Sequence, residues 1–430
     1  MSEREQQTAQ APQPVSISQR LGRLQFHKSG KFRVLQFTDV QDGPHPSPDT
    51  LSLIEAAVRE ARPDVVVFPG NLIAGYDPAY KATYRQRTWA KPRGTDADLA
   101  HTRELVRGFL TELTAPLARA GVPWAATFGN HDFQCGLSNA ELNEICCGFR
   151  ECLNPRVFPG ELDDDHCKEI ACAALPDELE YVCEPGTFAL PVAGEDGRAL
   201  IGLALVDSGN YAPTGGYGSP DARALAFLKE LPRKLGAPSI VFQHTPLPQY
   251  YDLLDAVPAK AAGAVEGYRA HAGQHYALDD ARVEDGSYLG EGISCPDDDS
   301  GEFQILKDGG YFAISTGQDH RNGFVGTADG LRMAASPTCG FNSYGPVPAR
   351  RAARLFEFDH RHPTAPRTQL LEFGELVGKP TSKKAYVYGM TADSKPKGEG
   401  VDLLHHPTAM SRLLNRIGAW FQGQKDDDRA

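Results

Sequence analysis

Apolar residues along this chain alternate between two rhythms: short runs rich in β-branched and aromatic side chains, and longer stretches with apolar positions three or four residues apart. Phe32-Arg33-Val34-Leu35-Gln36-Phe37 is the first short run, and the polar Thr38-Asp39 stops it, which predicts a strand delivering a loop. From Asp49 the spacing of Leu51, Ile54, Ala57 and Val58 predicts a helix that turns at Arg62-Pro63, where the residue before proline leaves the helical region. Asp64-Val65-Val66-Val67-Phe68 follows as a second strand and breaks at Pro69-Gly70. Strand, helix and strand at this spacing imply a parallel β-α-β unit, because parallel strands need a long crossover. The unit recurs: Leu99, Val106, Leu110, Leu113 and Leu117 mark an amphipathic helix, and Pro123-Trp124-Ala125-Ala126-Thr127-Phe128 marks a third strand.

That third strand runs into Gly129-Asn130-His131-Asp132. Residues 133–186 then break the rhythm with acidic, cysteine-rich sequence, including Asp163-Asp164-Asp165, and are expected to form an insertion beside the core. Ala199 to Val206 predicts a strand ending at Asp207-Ser208-Gly209-Asn210, and a helix around Ala222 to Leu231 leads to the strand Ser239-Ile240-Val241-Phe242-Gln243, directly before His244. A second interruption, rich in Gly, Tyr and acids, covers about 255–305. Tyr311 to Ser315 resumes the strand pattern and leads to Gly317-Gln318-Asp319-His320. Further strands are predicted at Leu355 to Phe358 and Gln369 to Phe373, with an amphipathic helix near Met410 to Phe421. The layout expected is a disordered leader over 1–25, one α/β domain over 26–375 carrying both insertions, and a peripheral extension over 376–430.

Composition narrows the partners more than the fold. An apolar share of 41% with 23% charged residues in 430 is ordinary for a soluble globular chain with a large core. The formal net charge of -12 disfavours nucleic acid as a bulk partner, because phosphate backbones are bound through clustered Lys and Arg. No stretch reaches the roughly 18 apolar residues that span a bilayer, so no membrane insertion is expected. The polar start lacks the basic and apolar regions of a secretory signal, which points to the cytoplasm. Of the nine cysteines, those at 135, 146, 147, 152, 167, 172 and 183 crowd into one segment without paired C-x2-C spacing, so reduced thiols are expected there.

The candidate chemistry lies at strand ends. Asp39, Asn71, Asn130 with His131, His244, and Gln318 to His320 each fall within a few residues of the C-terminal end of a predicted strand, where α/β sheets place their ligand crevice. Oxygen and imidazole donors converging from separate strands are how a hard or borderline divalent ion is held. The loops Asp207 to Tyr211 and Gly340 to Gly345 are also placed to line the crevice.

Five ordered blocks carry a specific resemblance: Asp39-Val40-Gln41, Gly70-Asn71, Gly129-Asn130-His131-Asp132, His244 within Gln243-His244-Thr245-Pro246, and Gly317-Gln318-Asp319-His320. In order and strand placement the chain resembles the calcineurin-like metallophosphoesterases, in their purple acid phosphatase-like bacterial branch, whose blocks read D-x-H, G-D, G-N-H-[DE], H and G-H-x-H. The resemblance implies a four-layer α/β/β/α sandwich with mixed sheets. It implies Asp39 and His320 on a first metal, Asn130 and His244 on a second, His131 as an outer acid, and Asp132 orienting the His131 ring. Gln41, Asn71 and Gln318 replace a His, the bridging Asp and a His, so the divalent ions expected (Mn, Fe or Zn) number two, one or none. An amide carbonyl is a weaker and uncharged donor than the carboxylate that two cations can share. Asp42, His45 and Asp319 are candidates to compensate, and Arg321 is a candidate substrate-phosphate ligand. Two functions follow: hydrolysis of a phosphate ester by metal-activated water at a weakened site, or a catalytically inactive relative that binds a phosphorylated ligand or a protein partner.

Overall fold

A computed structural model of the chain describes residues 16–157 and 165–381. Asp163, Asp164 and the helix expected near Met410 lie outside the described residues. Strands β1 (Lys31–Gln36), β2 (Val65–Phe68) and β3 (Trp124–Ala126) form as predicted, with helices α1 (Ile17–Leu21), α2 (Pro48–Ala61) and α3 (Asp96–Ala120) around them. After α4 (Asn139–Cys146) come β4 (Lys168–Ala171), β5 (Leu179–Glu184), β6 (Thr187–Ala193) and β7 (Ala199–Val206), then α5 (Ala222–Leu235) and β8 (Ser239–Gln243). The second interruption holds β9 (Leu254–Val257), β10 (Val265–Glu266) and β11 (His275–Leu278), which form a small sheet of their own, and runs into α6 (Glu302–Asp308). The chain finishes with β12 (Ala313–Thr316), β13 (Phe324–Ala328), β14 (Leu331–Ala335), β15 (Ala352–Asp359), β16 (His362–Glu372) and α7 (Phe373–Leu376).

Two mixed sheets carry the fold. The first has the order β16-β15-β1-β2-β3, with β1, β2 and β3 parallel and β15 antiparallel to β1. The second has the order β13-β14-β12-β8-β7-β6-β5-β4, parallel through β14, β12, β8 and β7 and antiparallel beyond. Alternation along the strands sorts side chains between layers. Val65 and Val67 of β2 meet Leu203 and Leu205 of β7 in a core between the sheets. Val66 and Phe68 face outward onto Leu53 and Ile54 of α2 and Phe109 and Leu113 of α3. Ala204 and Val206 face outward onto Phe227, Leu228 and Leu231 of α5 and Leu306 of α6. Three cores separate four layers, α/β/β/α, as the resemblance implied.

Helix ends follow local chemistry. Ser47 caps α2 with Pro48 in the first turn, and Thr95 and Asp98 form a capping box on α3. Two expectations are corrected. Residues 16–25 do not belong to a disordered leader, because Ser16 caps α1 and donates to the Asp64 carbonyl while Leu24 is fully buried. Residues 133–186 are not wholly beside the core, because β5 pairs with β6 and extends the second sheet, with β4 at its edge. Among the described residues no helix is long and apolar enough to cross a membrane. No disulfide joins any of the nine buried cysteines.

Candidate functional site

The five blocks converge. Loops leaving β1, β2, β3, β8 and β12 bring Asp39, Asn71, Asn130, His244 and His320 into one buried network. Its backbone is unusual: Asp39, Gln41, Asn71 and Gln318 all have positive φ, between +45° and +68°. Side chains with a Cβ rarely adopt this region, so the surrounding contacts hold these turns in place. Glycines let the loops approach that closely. A Cβ on Gly129 would lie 2.5 Å from Asn71 Oδ1 and 2.7 Å from His244 Cδ2, and one on Gly317 would collide with the Thr38 hydroxyl.

Asn71 is the centre of the network. Its Oδ1 accepts the His131 backbone N–H at 2.9 Å, and its Nδ2 donates to Asp39 Oδ1 at 3.3 Å and to Asn130 Oδ1 at 3.2 Å. A backbone N–H on one side and a carboxylate on the other leave a single sensible amide orientation, since a flip would oppose donor to donor and oxygen to oxygen. Asn130 in turn accepts at 3.1 Å from His244 Nε2 and donates to the Tyr211 hydroxyl at 2.8 Å. Asp39 Oδ2 accepts from the Thr38 hydroxyl at 2.7 Å and the Gln318 N–H at 3.0 Å.

Two histidines face the Asp39 carboxylate, His320 with Nε2 at 3.3 Å and His244 with Nε2 at 3.9 Å. Burial works against the charge on Asp39, but these imidazoles and the Thr38 hydroxyl outweigh it and hold its carboxyl well below the usual range. The His320 ring is fixed from behind: Nδ1 lies 2.7 Å from the Tyr344 carbonyl oxygen, and the ring stacks on Tyr344 with centroids 4.1 Å apart. Burial pushes the His244 imidazole down. His131 sits in desolvating surroundings that lower its pKa to about 4, although its side chain is partly exposed.

Several expected roles fall elsewhere. Asp132 does not orient the His131 ring; its carboxylate accepts the backbone N–H groups of Gly129 at 2.7 Å and of Asn71 and Ile73 at 2.8 Å. The ring is held by Gln134, whose Oε1 lies 2.8 Å from His131 Nδ1. Asp42 turns away to cap α2, accepting from Ser47 N and Thr50 Oγ1. His45 is exposed and pairs with Glu112, while Asp319 accepts the Ser294 N–H, so none of the three replaces a missing donor. Arg321 bonds the Gly345 carbonyl and lies 5.9 Å from the Tyr344 ring, beside the network. Sequence reasoning missed Gln134 and Arg87, whose guanidinium lies 3.9 Å from the Tyr211 ring. Their only sequence signal is nearness to the motif for Gln134; Arg87 has none.

A family model described as calcineurin-like phosphoesterase matches residues 32–275, more than half of the chain and four of the five blocks. The chain belongs to the calcineurin-like phosphoesterase family. Probable inactive purple acid phosphatase 14 of Arabidopsis thaliana is 21% identical over 374 residues, spanning 78% of this chain and 77% of that protein. Probable inactive purple acid phosphatase 28 of the same plant is 23% identical over 366 residues, again 78% and 77%. The solved structure of a dimetal phosphatase from Danio rerio aligns with 80% of this chain and 99% of its own at 12% identity, with a TM-score of 0.39.

Calcineurin-like phosphoesterases generally bind divalent metals, which sets a test for the donors present. A pair of ions needs a shared anionic bridge, and the residue at that position is an amide. Both hydrogens of the Asn71 Nδ2 group are directed at Asp39 Oδ1 and Asn130 Oδ1, two oxygens that ions would have to use. Asn71 Oδ1 is committed to the His131 N–H. Among the described residues no group of three or more His, Cys, Asp or Glu side chains is arranged to hold a metal ion. The residues do not fit a two-metal centre.

Proposed function

We propose that this calcineurin-like phosphoesterase is non-hydrolytic and that its crevice binds a phosphorylated ligand without cleaving it. The observation that carries the reading is the Asn71 amide, whose NH2 group occupies both oxygens flanking the bridging position. With the bridge spent on hydrogen bonds, the network has no means of activating water or neutralising developing charge between two cations. Binding needs less. The partly exposed His131 and Arg321 and the guanidinium of Arg87 flank the network, and guanidinium groups suit phosphate oxygens through paired hydrogen bonds. The two Arabidopsis thaliana relatives bear names that call them probably inactive, in agreement with this reading.

The test is elemental analysis of the purified protein together with turnover of an aryl phosphate in added Mn2+, Zn2+ or Fe2+. The expected result is less than one equivalent of metal and no turnover, with phenyl phosphate binding weakened about tenfold, or roughly 1.4 kcal/mol, in Arg87→Ala or Arg321→Ala. Two equivalents of metal with turnover abolished by His131→Ala would restore the hydrolytic reading.

A further inference from the structure

The segment between β2 and α3 carries a charge opposite to that of the molecule. Residues 76–95 hold five cations, Lys81, Arg85, Arg87, Lys91 and Arg93, against the single acid Asp77, in a chain whose formal net charge is -12. The first half of the segment is fastened to the motif after β3. The Thr83 hydroxyl donates to the Cys135 carbonyl at 2.6 Å, the Arg85 N–H to the Gln134 carbonyl at 3.0 Å, and Gln134 Nε2 to the Gln86 carbonyl at 3.3 Å. Tyr76 meets the His131 ring edge-on with centroids 5.0 Å apart, and Arg87 covers Tyr211, so the segment forms one rim of the crevice. Beyond Arg87 it faces solvent. Lys91 and Arg93 are exposed, as is Lys81, and Trp89 at 52% is the most exposed large apolar side chain among the described residues. Within the described residues none of these three exposed cations forms a salt bridge, whereas Arg269, Arg332 and Arg361 each pair with an acid.

We propose that this rim docks an acidic polypeptide and that the phosphate entering the crevice is carried on that polypeptide. The proposal rests on the phosphate-binding reading above and names the class of ligand. Unpaired cations beside a phosphate site attract carboxylates flanking the phosphorylated residue, and Arg87 stands where the two meet. Trp89 supplies a large flat apolar surface among those cations, the combination that carries binding energy at protein interfaces. An anionic bilayer fits less well. It would extend past the rim onto the acidic remainder of the chain, and the segment offers it a single exposed large apolar side chain. A nucleic acid meets the same repulsion, since its charges recur beyond the reach of five cations. A peptide touches the rim and the crevice alone.

Fluorescence anisotropy of the full-length protein with short labelled phosphotyrosine peptides tests the rim, because that side chain is itself a phenyl phosphate and only the flanks then differ. With Asp and Glu as flanks the expected affinity is about tenfold above that with Ser flanks, and the advantage shrinks as NaCl is raised. The acidic peptide without its phosphate binds about tenfold more weakly. Lys91→Glu with Arg93→Glu removes the advantage, and Trp89→Ala weakens the acidic phosphopeptide about fivefold. Both variants keep phenyl phosphate binding and Tm unchanged, since the substituted side chains are exposed. Equal binding of the acidic and Ser-flanked phosphopeptides, an advantage that survives the charge reversal, or equal binding without the phosphate would overturn the inference, while phenyl phosphate binding would leave the phosphate-binding reading standing. If neither phenyl phosphate nor either phosphopeptide binds, both fall. Tighter binding of phosphatidylserine vesicles or of an oligothymidylate to the same rim would overturn the inference in favour of a lipid or nucleic-acid surface.

Discussion

At position 71 the difference between one oxygen and one NH2 group separates two kinds of protein. A carboxylate there would repel Asp39 Oδ1, now 3.3 Å from Asn71 Nδ2, unless cations intervened; the amide turns that repulsion into a hydrogen bond. Asn71→Asp is therefore expected to cost about 2–4 kcal/mol in chelator, since it buries an unpaired charge and removes two donated hydrogen bonds. Urea melts with and without Mn2+ check this, the ion being expected to recover most of the loss. Equal stability in chelator would mean that the amide is not what holds the network together. The sequence gives away which residues meet here, because Asp39, Asn130, His244 and His320 sit in ordered blocks at strand ends. It does not disclose which way the Asn71 amide points, or that Gln134 rather than Asp132 positions His131, since both depend on atoms brought in by other loops.

Elements were legible where their pattern is internal to the segment. The buried run Val65–Phe68 of β2 and the long periodic stretch of α3 were predicted from their own residues. The strands β4, β5, β13 and β14 were not, because runs of four to six residues carry little periodicity of their own and are fixed as strands by the neighbours they pair with. The N-terminal segment shows the same dependence. Leu24 N–H donates to Glu178 Oε2 at 2.5 Å, which ties the segment after α1 to the start of β5 across 154 residues. Glu178→Ala leaves that buried N–H without its partner, and a loss of about 1–3 kcal/mol is expected. Hydrogen exchange should rise at residues 23–26 before it rises in β1; unchanged protection there would show that the staple is dispensable.

The whole molecule holds several carboxyls that burial pushes up: Glu178 and Glu302 to about 8, and Glu180 and Glu184 to about 7. The ordinary value is 4.5, so between that pH and about 7–8 the folded state keeps protons that the unfolded chain releases. Stability from these groups is present below 4.5 and declines as pH rises through the window. Asp39 works in the opposite sense: its stabilisation is present above the ordinary 3.8 and is lost as pH falls. Maximum stability is thus expected near mildly acidic pH, with a loss on the order of 3 kcal/mol by pH 8 in chelator. Urea melts at pH 5 and 8 measure it, and Glu180→Gln should shrink the difference. A midpoint that rises with pH would contradict the burial of these groups.

The amino-acid order by itself determined the alternation of strands and helices, the five strand-end blocks and the family they mark. Periodicity and turn residues act over a few positions, so a single segment carries that information. Only the tertiary structure decided that Asn71 is locked between Asp39 and Asn130, that Asp42, His45 and Asp319 are spent on other partners, and that Glu302 is buried beside Gln243. Each of these facts is a contact between loops far apart in the chain, and a hydrogen-bond partner or a desolvated charge exists only once the fold has brought those loops together.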